Sequence, residues 1–456
     1  MHTTTPKAQS QPVTRIGTVV AGADLVFVKF CRLMGLAAAV LVWLMLVGPS
    51  PAWGEESPGL RQTTNPAPFA DMHLGLFAHY MYVGKPYEFG STAWADRTAV
   101  RSLDELADNL DVKDFAATAA AMRAQYVLFT AWHANMNVLF PSAVMKRRLP
   151  GHCSRRDAVG DLIRALKARN IRTILYVHPS DGHDFTREDQ DRVGWNDGPP
   201  FGRSNDFINE VIAEVVERYG KDVSGYYIDG GLPKRVDAPR LRKTILDRQP
   251  GAWLIQNSGL NRACVDYGAL ERMGPPFPAT TWLRCDNITA EWWAKGTTVH
   301  CRPELAFQYT ILQAAVTGRM GGGVAWSFGP HPGGKWEVGV LAFCQRLGAL
   351  VDRAGPSLFG TRPSGAYVVK DRQPLQDLAY VATESPDGKR TFLHLFLPPK
   401  DRSLQLPAPA DGRRFSSARL LDSGHKVSLL QTDTAVELTL DPADHWDDVD
   451  TIFVLE

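Results

Sequence analysis

The 456-residue chain is poor in several things, and each shortage narrows its chemistry. It has 6 cysteines and no C-x-x-C pair, so neither a disulfide scaffold nor a structural zinc site organises it. Cys31 falls in the N-terminal leader. Cys153, Cys264, Cys285, Cys301 and Cys344 leave room for one or two bridges in an oxidising compartment, without saying which. Net charge is nearly absent: 50 basic against 49 acidic residues gives +1. That removes the electrostatic case for nucleic acid or an acidic polymer as partner. H-x-H and H-E-x-x-H metal motifs are missing, as is the G-x-S-x-G elbow of serine hydrolases. No G-x-G-x-x-G follows the first strand-like run, and no internal repeat stands out.

The most apolar run, Met34–Val47, is shorter than the roughly 20 residues of a membrane span. Lys29 and Arg32 precede it and Ala52-Trp53-Gly54 follows. That is the order of a secretory signal: basic region, apolar region, small-x-small cleavage site. Residues 1–54 are therefore expected to be a signal peptide, or an N-terminal anchor if left uncleaved. The protein is expected to be exported, to a periplasmic, extracellular or lysosome-like compartment, with no stable membrane insertion unless that segment is kept. Residues 55–70, rich in Pro, Ser and Thr, read as a linker.

What is present is an alternation. Strand-like runs at Leu74–His79, Tyr126–Ala131, Arg172–Val177, Gly225–Asp229, Trp253–Ile255, near Leu270, at Thr281–Cys285 and at Gly323–Phe328 are interleaved with amphipathic stretches. Arg156–Arg169 is one, with Val159, Leu162, Ile163 and Leu166 on one face. This pattern predicts an α/β fold, a (β/α)8 TIM-like barrel over residues 71–360. An open doubly wound sheet is the rival topology. After Pro363 the chain turns to short β-rich runs separated by turns such as Pro386-Asp387-Gly388. Residues 361–456 are thus expected to form a C-terminal antiparallel β-sandwich.

Barrel enzymes work at the C-terminal ends of their strands. The residues there are His79, His133, His178, Asp229 and Glu271. A lone His at a strand end is more often a structural hydrogen-bonder, and an Asp before Gly-Gly often starts a turn. Five such residues at matching positions point instead to one pocket. Two carboxylates can serve glycoside hydrolysis, one as nucleophile and one as acid. The 12 tryptophans suit sugar stacking, although a large protein buries aromatics in any case.

The motifs resemble those of glycoside hydrolase family 29, the α-L-fucosidases. Leu74-Gly75-Leu76-Phe77-Ala78-His79-Tyr80 is similar to the family's F-G-x-F-x-H-W-G, and Gln125 to Ala134 to its K-Y-V-V-L-T-A-K-H-H. Arg156-Asp157-Ala158-Val159-Gly160-Asp161-Leu162 is similar to R-D-L-V-G-E-L. Ile174 to His178 is similar to G-L-Y-Y-S. Tyr227-Ile228-Asp229-Gly230 resembles the nucleophile strand W-F-D-G. Gly321 to Pro330 resembles G-G-N-L-L-L-N-x-G-P, and Phe359-Gly360-Thr361-Arg362-Pro363 resembles Y-G-T-R-P.

The resemblance implies a retaining exo-glycosidase acting on terminal α-L-fucosides, with carbohydrate as its partner and with no metal or organic cofactor. Asp229 would be the nucleophile. Glu271, closing Asp266 to Glu271 in the manner of D-[FY]-x-T-P-E, would be the acid/base, with Glu291 before Trp292-Trp293 as fallback. His79, Tyr80, Trp132, His133, Tyr176, His178 and Trp282 would contact the sugar, with Trp326 on its apolar side.

The chain departs from the pattern at Tyr80 for Trp, His133-Ala134 for His-His, Val177 for Tyr and Trp282-Leu283 for Trp-Glu. These losses bear on which sugar fits. A related sugar on the same scaffold, or an inactive carbohydrate-binding homologue, are the alternative readings.

Overall fold

A computed structural model describes residues 71–83, 91–182, 185–230, 235–257, 263–271, 281–317, 323–369 and 375–456. The expected leader and linker lie outside the described residues.

Eight parallel strands close into a barrel. They are β1 (Leu74–Ala78), β2 (Tyr126–His133), β4 (Arg172–Val177), β5 (Gly225–Ile228), β6 (Trp253–Asn257), β7 (Tyr267–Glu271), β8 (Thr281–Asn287) and β9 (Gly323–Ser327). Closure is made by β1, which pairs with β2 on one side and β9 on the other. A two-residue strand, β3 (Asn137–Val138), folds back antiparallel on β2. Closure excludes the open doubly wound sheet.

Period-two alternation sorts the strand residues. Phe77, Tyr126, Leu128, Ile174, Tyr176, Tyr227, Ile255, Tyr267, Leu283 and Cys285 fill the barrel interior as one buried cluster. Their neighbours, such as Leu76, Val127, Phe129, Leu175, Tyr226 and Val324, face the surrounding helices. Gly75 has no side chain because one would enter the ring of Tyr126, whose Cε2 lies 2.2 Å from where a Cβ would sit.

The helices start where polar residues cap them. Asp111 accepts from the backbone N–H groups of Lys113 and Asp114, and Asp157 accepts from Gly160. Thr186 and Asp189 form a reciprocal capping box, and Asp237 accepts from Arg240 with Pro239 in the first turn. The helix Gly202–Tyr219 buries Phe207, Ile208, Val211, Ile212, Val215, Val216 and Tyr219 along one face. Between β6 and β7, and between β7 and β8, no helix occurs among the described residues.

The C-terminal strands run antiparallel in the order β10 (Arg362–Pro363), β11 (Tyr380–Glu384), β12 (Thr391–Leu395), β17 (Thr451–Leu455), β14 (Ala418–Leu420), β15 (Lys426–Gln431), β16 (Ala435–Thr439) and β13 (Ser403–Pro407). Leu393, Leu404, Leu406, Val436, Leu438 and Phe453 share one core, so the two ends of the run face each other as a sandwich. Within the β-rich stretch expected after Pro363, residues 366–369 form no strand. Ser403–Pro407 is a strand that the sequence reading passed over.

Among the described residues the five cysteines are free and no disulfide forms. No described helix is long and apolar enough to cross a membrane.

Candidate active site

Strand register brings the carboxylates together. β5 and β6 pair with Ile228 opposite Gln256, so Asp229 and Asn257 stand side by side at the next step. β6 and β7 pair with Asn257 opposite Ala269, which puts Glu271 one pleat further up on the same side.

Asn257 Nδ2 donates to Asp229 Oδ1 at 2.8 Å and to Glu271 Oε1 at 2.7 Å. Those two oxygens are therefore no farther apart than the sum of the two distances. A retaining glycosidase holds its carboxyl pair about 5–5.5 Å apart. Glu291, the alternative acid, uses its backbone oxygen to accept from Thr289, and its side chain shares no hydrogen bond with this cluster.

Asp229 receives two further bonds. Its Oδ1 accepts from the backbone N–H of Gly230 at 2.6 Å, and its Oδ2 accepts from the Tyr176 hydroxyl. Burial works against its charge. His178 and the bonds from Tyr176, Asn257 and Gly230 outweigh it and hold the carboxyl below the usual carboxylate range. His178 itself is kept neutral at pH 7, because burial and then the nearby His133 lower its pKa. The three hydrogen bonds are thus what persists at Asp229 near neutrality.

Tyr176 is pushed far up by burial and by Asp229, so it remains a donor. Gly230 has φ +82, and a Cβ there would come within 2.7 Å of Ser180 Oγ and 2.8 Å of His178 Cε1. Only glycine lets the chain turn beside Asp229 at that point.

Histidines and aromatic rings surround this centre. His133 Nδ1 donates to Asp181 Oδ2 at 2.6 Å, and its Nε2 lies 3.3 Å from the Tyr176 hydroxyl. The His133 ring stacks on His178 at 5.4 Å between centroids. His79 packs against Phe77 at 4.5 Å, Tyr176 at 5.1 Å and Trp292 at 5.9 Å. Burial, then His133, lowers the His79 pKa well below that of free histidine, so it is neutral.

Tyr80, Trp132 and Trp326 do not join this group. Tyr80 donates its hydroxyl to Leu106 O at 2.8 Å and stacks on Phe129. Trp132 Nε1 donates to Met136 O at 3.0 Å while its ring meets Phe207 edge-on. Trp326 donates to Thr310 at 3.2 Å. All three pack in the outer core: Trp326 by the parity of its strand, next to the inward Ala325, Trp132 because a bulge after Thr130 shifts the register of β2, and Tyr80 just beyond the end of β1. The backbone of Trp282 lies in β8, and its side chain is outside the described residues. The sequon Asn287-Ile288-Thr289 is closed to glycosylation, since Asn287 is 4% exposed.

Two members were missed by the sequence reading. Asn257 lay just beyond the expected end of its strand at Ile255. One more pleat would have brought an amide beside Asp229. Asp181 follows His178 by three residues, and only the folded chain brings it to His133.

A separate clamp holds the rim. The buried Glu337 accepts from the backbone N–H groups of Lys295 at 2.7 Å and Gly296 at 2.9 Å, and pairs with His331 at 3.3 Å. His331 Nδ1 donates to Ala93 O at 2.8 Å, and Ala93 N to Ala294 O at 3.0 Å. The loops after β1, β8 and β9 are thereby tied together. Burial opposes charge on Glu337, but His331 and the backbone donors prevail and hold its pKa at about 2.

The sequence-family model described as Alpha-L-fucosidase matches residues 50–355. No curated protein sequence matches the chain. Among solved structures, a GH29 α-L-fucosidase from Bacteroides thetaiotaomicron aligns at 19% identity with a TM-score of 0.66, covering 90% of this chain and 98% of that one. α-L-Fucosidase isoenzyme 1 from Paenibacillus thiaminolyticus aligns at 18% and 0.66, covering 86% and 98%. The Thermotoga maritima α-fucosidase aligns at 15% and 0.65, covering 87% and 98%. At these identities the likeness speaks for the fold.

Proposed function

The chain belongs to the α-L-fucosidase family of glycoside hydrolases, and from that premise we propose that it hydrolyses terminal α-L-fucosides with retention of configuration at the anomeric carbon. In this reading the Asp229 carboxylate attacks the anomeric carbon while the departing oxygen takes a proton from Glu271. The product of that step is a glycosyl ester on Asp229. Glu271 then removes a proton from water, the water oxygen attacks the anomeric carbon, and the Asp229 carboxylate is released.

One observation carries the reading: a single amide nitrogen, that of Asn257, bonds to both carboxylates. The lowered pKa of Asp229 supports it, because a nucleophile must be ionised. Tyr176 steadies that charge. His79, His133 and His178 supply hydrogen-bonding groups for ring hydroxyls, and Trp292 an apolar wall for a 6-deoxy sugar.

The test is turnover of an aryl α-L-fucoside by the parent and by Asp229→Asn, with the product anomer followed by NMR. The reading expects the α-anomer first and a loss of at least about 100-fold in the variant. The β-anomer as first product would sink retention. Full activity in the variant would sink the Asp229 assignment. Sugar binding without turnover across a panel of aryl glycosides would favour a lectin-like protein.

We also propose that the protein is exported, on the leader pattern around Met34–Val47. N-terminal sequencing of the mature protein tests it. A mature chain that still begins at Met1 in the cytosol would contradict it.

A further inference from the structure

Arg235 stands out among the arginines at the rim of the barrel. Nearby, Arg192 pairs with Glu188, Arg203 with Asp197 and Arg240 with Asp206. Arg235 has no carboxylate partner among the described residues. Its guanidinium lies 4.3 Å above the ring centroid of Trp195 and 5.6 Å from that of Phe201. Its Nη1 donates once, to Trp195 O at 2.8 Å. A guanidinium has five N–H groups, and the rest of this set has no acceptor among the described residues. Two aromatic faces hold the cation in place without neutralising it.

Its position is fixed from two sides. Arg235 lies in the loop after β5, six residues beyond Asp229. Asn205, in the first turn of the helix Gly202–Tyr219, donates to Arg235 O at 2.9 Å and accepts from the Asp237 N–H at 2.8 Å. That helix follows the loop after β4, so its N-terminus is at the catalytic end of the barrel. Trp195 is set the same way: its Cζ2 lies 3.0 Å from where a Cβ on Gly182 would sit, and Gly182 follows Asp181, the partner of His133. The cation therefore sits beside the site, on a rim whose two loops meet at Gly230 and Ser180. The sugar would lie deeper, among His79, His133 and Tyr176. Whatever is joined to that sugar would cross the rim.

We propose that Arg235, held by Trp195 and Phe201, is a subsite for an anionic group, a carboxylate or sulfate, on the leaving-group side of the substrate. A planar donor fork with free N–H groups matches the paired oxygens of either oxyanion. The proposal rests on the fucoside reading above and adds what that reading leaves open, the chemical class of the aglycone.

The experiment compares two aryl α-L-fucosides, one neutral and one with a carboxylate on the ring, in the parent, R235Q and R235K, after thermal melts show that the variants fold. The readout is the ratio of kcat/KM for the anionic substrate to that for the neutral one. The parent is expected to favour the anionic substrate, and R235Q to lower the ratio by about tenfold, the scale of one charge-assisted hydrogen bond. R235K, which keeps the charge but loses the planar fork, should fall between them. An unchanged ratio in R235Q, or a parent that prefers the neutral substrate, overturns the subsite and leaves the fucosidase reading standing. No turnover of either substrate by the parent overturns that reading, and the subsite with it.

Discussion

Asp229 and Glu271, on strands separated by β6, are joined through one nitrogen atom of Asn257, which donates to both. The carboxyl separation is thus set by a side chain that takes no direct part in the chemistry. Asn257→Ala should lower kcat by about 10- to 100-fold with little change in KM, because it disturbs the reacting pair more than sugar binding. Asn257→Asp should do at least as much harm, since it puts a third carboxylate between two others. Steady-state kinetics on an aryl fucoside decides it. A loss confined to KM would show Asn257 to be a sugar contact.

Tyr176 bears on the pH profile. Its hydroxyl helps keep Asp229 ionised below the usual carboxylate range. In Tyr176→Phe that bond is gone and the Asp229 pKa rises. The acidic limb of kcat/KM should then move to higher pH, by about one unit. A limb that stays in place would mean that another group sets it.

At Gly230 the constraint is steric. Alanine there meets both a left-handed φ and the Ser180 and His178 side chains. Gly230→Ala should cost about 1–3 kcal/mol of stability, seen in denaturant titration. Activity should fall further than stability accounts for, because the displaced groups border Asp229.

Tyr80 and Trp132 predict the opposite pattern. Tyr80→Phe loses a buried bond to Leu106 O and should cost about 1 kcal/mol, with kcat/KM changed by less than about twofold. A large rise in KM would return Tyr80 to the sugar site.

His73 gives a prediction on stability alone. It is buried, neither ring nitrogen has a partner among the described residues, and burial lowers its pKa to about 4. The unfolded chain, with an ordinary histidine near 6.5, binds the extra proton first. Stability from this residue is therefore whole above pH 6.5 and is lost as pH falls towards 4, by about 3 kcal/mol in all. His73→Leu should flatten the fall in unfolding free energy between pH 6.5 and 4. An unchanged slope would locate the acid sensitivity elsewhere.

Much of this was legible before the fold was known. Asp229, His79, His133 and His178 end strands whose apolar runs are plain, and barrel geometry does the rest. Glu271 was harder, because its strand is short and mixed in character. What escaped depends on distance in space or on strand parity. Asp181 meets His133 only through a loop that returns over the barrel. Tyr80 and Trp132 were expected at the sugar from the family resemblance, but each directly adjoins a pocket histidine in the chain, and adjacent side chains of extended backbone point to opposite faces. Ser403–Pro407 alternates cleanly but ends on proline, which disguised an edge strand.

The Glu337 clamp divides the mouth of the barrel between two kinds of wall. On one side Glu337 and His331 lock three loops through main-chain atoms, so that a single substitution there disturbs all three and the wall behind Trp292 with them. On the other side the loops after β4 and β5 meet through the side chains of Trp195, Phe201 and Arg235, which can be exchanged one at a time. On the proposed reading, substitutions in this chain would change what hangs from the sugar far more readily than the sugar itself.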